Sequence, residues 1–234
     1  MSVAFDANAT ADSTANGVTS INHANLTIGS GSNRALVAQI LWDNTTAPTA
    51  TVKWDNAGTP QTMTSITGAA KGNTNVNVQL FGLVAPTSGN KTLNAAWSGA
   101  RDVYLNGVSW TGVDQTGGAT SFPHGTGGTG TSTTASTGAI TSATGNAVMG
   151  VHGTSTASVN SMDNTQTFRD NVAANISGGG NRAAGAATVT LTATLSASAA
   201  WASAGTDIAA AASVAFIAAE PLIVRQAVNR AGTY

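Results

Sequence analysis

Thr188-Val189-Thr190-Leu191-Thr192-Ala193-Thr194-Leu195 alternates a hydroxyl with an apolar side chain along its whole length. A period of two marks an extended strand with one face toward a core, and a threonine ladder suits a solvated face that carries little charge. Outward from that stretch the same arithmetic recurs. Val76, Val78 and Leu80 alternate with Asn77 and Gln79, and strand-like runs at 25–28, 34–42, 51–54, 92–97 and 103–111 are broken at short intervals by Gly, Asn, Pro and Ser. The pattern predicts an all-β chain, an antiparallel, jelly-roll-like β-sandwich of about ten strands with at most one short helix. Alanine runs at 183–187 and 209–212 favour helix by propensity alone, but Gly185, Gly205 and the threonine runs weaken that reading.

The chain has 234 residues, enough for one ordinary domain. Leu, Ile, Val and Phe number only 42, so the core is thin, while the low net charge separates the sequence from disordered chains. Charged residues make up 8%, with nine Lys and Arg against ten Asp and Glu, and Glu220 is the single glutamate. That balance excludes a basic nucleic-acid binder, a polybasic membrane anchor and an acidic tail, so neither nucleic acid nor membrane is expected as a partner. Without cysteine there are no disulfides, thiolate nucleophiles or sulfur-ligated metals. Residues 1–10 lack the basic segment and apolar run of a signal peptide, and no apolar stretch approaches the length of a membrane span.

Three segments are expected: an N-terminal arm over 1–20, a single β-sandwich domain over 21–220 and a C-terminal tail over 221–234. The Gly/Ser/Thr tract at 116–137 has linker composition and reads as a domain-crossing loop or a flexible linker.

Catalytic signals are sparse. Glycoside hydrolysis needs two converging carboxylates, and most of the aspartates stand in turn contexts. Trp42-Asp43 and Trp54-Asp55 repeat a Trp-Asp couple after two strands, which could form an aromatic, hydrogen-bonding glycan platform; the simpler reading is Asp in turns and Trp packed at the sheet end. His23, His124 and His152 have no metal-ligand spacing and read as structural or surface histidines. Asp163 with Asn164, and Asp170 with Asn171, offer loop oxygens without EF-hand spacing, and Ser177-Gly178-Gly179-Gly180-Asn181-Arg182 lacks the Lys of a phosphate loop. No catalytic residue, metal or cofactor is expected. The tail, with Arg225, Arg230 and Tyr234, is the candidate partner-binding segment, by strand addition or by Arg contacts to an acidic surface.

Four segments carry a resemblance: Ser32-Asn33-Arg34-Ala35-Leu36-Val37, Val52-Lys53-Trp54-Asp55, the strand 76–84 closed by Ala85-Pro86-Thr87-Ser88-Gly89, and Val108-Ser109-Trp110-Thr111-Gly112-Val113-Asp114-Gln115-Thr116. In this order they resemble a jelly-roll-like β-sandwich module of tailed-phage structural proteins and bacterial extracellular proteins, over about residues 20–217. The resemblance implies a sandwich with a structural or binding role and carries over no catalytic residues. The expectation that follows is a non-enzymatic bacteriophage virion protein, made in the host cytoplasm without a signal peptide. A capsid decoration (cement) protein is preferred, a homotrimer bound to the major capsid protein. The alternatives are a tail- or fibre-associated virion protein and a carbohydrate-binding or adhesin module.

Overall fold

The computed structural model describes residues 1–8, 13–43, 48–163, 166–170, 179–183 and 187–212. The chain begins with β1 (Ala4–Asn8), β2 (Ser13–Ile28), β3 (Ala35–Asp43), β4 (Ala50–Trp54), β5 (Gln61–Thr62), β6 (Thr64–Asn73), β7 (Val76–Val84) and β8 (Gly89–Thr111). A single turn of helix, α1 (Gly118–Ser121), leads into β9 (Thr126–Ser136), β10 (Ile140–Ser142), β11 (Ala147–Thr154) and β12 (Val159–Met162). The last strands are β13 (Thr167–Asp170), β14 (Gly179–Ala183), β15 (Ala187–Val189) and β16 (Thr192–Ile208). All the strand pairings run antiparallel.

Two units of the same topology make up this sandwich. The hydrogen-bonded order is β4-β8-β3-β7-β6 in the first unit and β12-β16-β11-β14-β13 in the second, so each places its strands in the order second, fifth, first, fourth, third. On the outer edge of the long fifth strand lies one more partner, β2 on β8 and β9 on β16. The correspondence extends to register. Ser20 faces Ala96 and Val18 faces Arg101, while Thr134 faces Thr194 and Ser132 faces Ala199, so each long strand bulges by the same amount at the same place.

That bulge lets each ribbon fold over itself. Gly17 and Gly99 take φ of 63° and 77° at the bend, where a Cβ would be strained. Beyond it Leu26 and Leu93 come down onto Gly107, and in the second unit Leu191 comes down onto Gly150 and Ile140 onto Gly205. In the second unit the ribbon is split, with β10 and β15 pairing as a separate piece. The split falls where Thr137 receives and returns the backbone bonds of Leu191, at 2.9 Å from its N–H and 3.0 Å to its hydroxyl.

The alternation in 188–195 holds: Val189, Leu191, Ala193 and Leu195 are buried, while Thr188, Thr190 and Thr194 are exposed. The two units share one core. Val37, Leu41, Val78, Leu80, Tyr104 and Trp110 of the first meet Met149, Val151, Ala202 and Ile208 of the second, and Leu41 seats on Gly153, its counterpart position. Each unit also closes a core of its own under its folded ribbon.

Several expectations change. Sixteen strands among the described residues replace about ten, because pieces such as β5, β10 and β15 are too short to show a period of their own. The described parts of 1–20 lie in the sheet: β1 and the first half of β2 pair along β8, and Phe5 packs edge-on against Trp110 at 6.2 Å with Arg169 of β13 stacked over it at 3.7 Å. The tract at 116–137 crosses from the first unit to the second, and most of it is regular: it forms α1 and β9, with short irregular pieces at 116–117 and 122–125. Its glycines from Gly125 to Gly130 are spent on close packing, since a Cβ on Gly125 would stand 2.2 Å from the Thr67 carbonyl oxygen and one on Gly130 would stand 2.6 Å from the Trp201 ring. The one short helix among the described residues lies there, not in the alanine runs: Ala210 bridges to Val113, and 184–186 lie outside the described residues.

Candidate functional site

The Trp-Asp couples do not form a glycan platform. Trp42 and Trp54 are 1% and 0% exposed, locked in the core of the first unit. Trp42 meets Trp97 edge-on at 6.1 Å, and the Trp54 indole N–H donates to the Thr87 carbonyl at 2.9 Å. With their rings turned inward, Trp42 and Trp54 offer no face to a sugar. Their aspartates do turn chemistry. Asp43 accepts the Asp102 N–H at 2.9 Å, and Asp55, at φ 54°, pairs with Lys91 at 3.0 Å. The Lys91 ammonium holds the Asp55 carboxyl below its ordinary range.

The segments behind the resemblance meet at one corner. Val113 N–H donates to the Asn33 carbonyl at 2.9 Å, the Gln115 side chain donates to the Arg34 carbonyl at 3.1 Å, and the Arg34 guanidinium donates to the Pro86 carbonyl at 3.1 Å. Asp114 accepts from Thr116 N–H at 2.9 Å, which lowers its pKa. Most polar contacts in that corner serve the backbone, and the Asp114 carboxylate also takes the Ser121 hydroxyl at 3.2 Å, so the motif staples the fold.

Two polar clusters that the sequence did not single out lie inside the second unit. Asp207 is 1% exposed and accepts from Ser142 at 2.7 Å and Asn146 at 2.6 Å; burial raises its carboxyl against those bonds and against nearby His124. His152 is fully buried, its Nδ1 2.9 Å from the Ser203 hydroxyl. Its Nε2 has no other partner within hydrogen-bond geometry, and the Gln166 side-chain amide is the group beside it that favours its proton. Gln166 spends its own N–H groups on the Asp163 and Thr192 carbonyls at 2.7 and 2.8 Å, and its buried oxygen has no hydrogen-bond partner in this geometry. Burial drives His152 down to about 4, so the ring is neutral at neutral pH. A Ser-His-Gln row resembles a nucleophile and its base, but no substrate reaches a side chain with zero exposure. The signal that could have found Ser203 is its register, directly opposite His152 across β11 and β16.

The remaining expectations are quickly placed. His23 is buried with Nδ1 donating to the Ala24 carbonyl at 2.9 Å, and His124 is exposed. Asp163 turns its carboxylate to the Thr192 and Thr194 hydroxyls. Among the described residues no three His, Asp or Glu side chains gather. A pocket of about 60 Å³ lined by Ile66, Gly82, Ala119 and Phe122 is far smaller than a small-molecule site. Arg225, Arg230 and Tyr234 lie outside the described residues.

The surface feature that does emerge is an edge. β2 bonds only to β8 among the described strands, and its sixteen residues hold no Lys, Arg, Asp, Glu or Pro. Thr14, Asn16, Thr19, Ser20, Asn22 and Thr27 are exposed along it. Its counterpart β9 is covered: β6 runs against it, with the Asn73 amide donating to the Gly130 carbonyl at 2.7 Å. Neither a protein-family model nor a curated protein matches this chain.

Proposed function

We propose that this chain is a non-enzymatic structural subunit of a bacteriophage particle, a capsid decoration protein that assembles with copies of itself, as a homotrimer, on the major capsid protein. The observation that carries the reading is the β2 edge. Monomeric sheet proteins protect an open edge with lysine, proline, inward charge or a covering segment, because bare N–H and C=O groups recruit other chains. β2 carries two bulges but no charge and no proline over sixteen residues. Such an edge suits a subunit whose partner is another copy, since two uncharged surfaces meet without repulsion. The burial of the Trp42 and Trp54 rings removes the basis for the carbohydrate-binding alternative. In this reading the tail, with Arg225, Arg230 and Tyr234, supplies contacts to the neighbouring copy or the shell.

Light scattering of the purified chain tests the assembly. The expected mass is three times 23.0 kDa, and Ser20→Lys on the exposed β2 edge returns the monomer. A strictly monomeric wild-type chain overturns the reading. Removing 222–234 should leave the circular dichroism of the sandwich intact and abolish particle binding. Antibody labelling of particles in electron micrographs then separates shell from tail or fibre.

A further inference from the structure

We propose that His152 is an acid-triggered release built into the second unit: protonation of its imidazole opens the β11–β16 face while the first unit stays closed. The argument begins with register. His152 and Ser203 are directly opposed, and the corresponding pair in the first unit is Ile40 and Leu105, both 0% exposed. One unit thus fills this layer with two aliphatic side chains, and the other fills it with an imidazole, a hydroxyl and a carboxamide. A neutral imidazole suits that layer: Nδ1 pairs with the Ser203 hydroxyl, while Nε2 and the Gln166 oxygen are both buried with no hydrogen-bond partner in this geometry, so the layer offers no acceptor bond to a second ring proton.

A charged imidazole does not. Burial acts on the ring more strongly than the Gln166 amide, and among the described residues no carboxylate compensates it. The acidic groups on the flanking segments are committed elsewhere, Asp207 to Ser142 and Asn146, Asp163 to Thr192 and Thr194. The folded unit therefore holds its proton only below about 4, whereas an opened one holds it below about 6.5. Between those values the open form binds more protons, so acid favours opening. The opening equilibrium should rise on the order of twentyfold from pH 7 to pH 5 and level off below about pH 4.

Hydrogen exchange of the full chain, read by mass spectrometry and corrected for intrinsic rate, tests this. From pH 7 to pH 5, segments 147–154 and 199–208 should lose protection about twentyfold, and segments 35–43 and 103–110 should hold theirs. His152→Ile, which copies Ile40, should abolish the difference. Equal loss in both units, no loss, or loss that begins in the first unit, where the other buried histidine His23 lies, overturns the proposal. Should the variant fail to fold, an imidazole NMR titration of the wild-type chain decides: a His152 that titrates near 4 in the folded protein supports the trigger, and one near 6.5 overturns it.

Discussion

The first unit packs its folded ribbon over Leu36, Ala38, Ile40 and Trp42, whereas the second packs the matching ribbon over Val148, Gly150, His152 and Thr154. Across the layer the partners are Ser109, Gly107, Leu105 and Val103 in one and Asp207, Gly205, Ser203 and Trp201 in the other. Strand order, bulge and bend survive this exchange of chemistry. Topology here rests on pairing register and on small residues where the halves of the ribbon touch, such as Gly107 and Gly205, while the identity of the remaining core side chains sets how firmly each unit is held. Four of the five tryptophans fall in the first unit. That asymmetry makes the first unit the anchor and the second the part whose closure depends on satisfied polar groups.

The sharpest way to break this contrast is to remove its largest member. Trp42→Ala opens a cavity in a layer with 1% exposure and should cost about 3–5 kcal/mol. Thr154→Ala at the matching position loses only hydroxyl contacts to the Ala157 backbone and should cost about 1 kcal/mol. Denaturant midpoints of the two variants give the comparison directly. Equal costs would mean that the first unit is no anchor.

A subtler test sits one layer in. Ser203→Ala deletes the partner of His152 Nδ1 and leaves a buried ring nitrogen dry, at an expected cost of about 1–3 kcal/mol from the denaturant midpoint at pH 7. A neutral result would show that the His152–Ser203 contact does not hold the second unit closed.

Much of the architecture was readable beforehand because period-two alternation is a local signal. Strand 76–84 matches β7, and 103–111 forms the end of β8. What the pattern could not show is the glycine-rich strand β9, whose residues are small because β6 and Trp201 press on them from elsewhere in the chain. The bulge at 97–100 hid the continuity of β8, so its two halves read as separate strands. The same limit applied to the polar sites. Gln166 and Ser203 meet His152 only through long-range register, and nothing in their sequence neighbours marks them. Trp42 and Trp54 follow the simpler of the two readings, ring in the core and Asp in the turn, but a Trp-Asp couple has the same spelling whether the ring faces solvent or core, so the pattern alone left both open.

The smallest expected effect concerns how each unit leaves its second strand. β4 runs into Asp55, which pairs with Lys91, and β12 runs into Asp163, which accepts from Thr192 and Thr194. One unit thus closes this corner with an ion pair and the other with hydroxyls. Asp55→Asn keeps a residue type that tolerates the φ of 54° and removes the charge. Because Lys91 lowers the carboxyl pKa in the folded chain, the pair adds stability above the unfolded value of 3.8 and loses it as pH falls through the folded value. The variant should therefore be slightly weaker than wild type at pH 7, less so in high salt, and indistinguishable from it in strong acid, as denaturant midpoints at each condition would show. A loss that matched Ser203→Ala and ignored salt would mean that this ion pair, and not the aliphatic and indole packing beneath it, is what separates the first unit from the second.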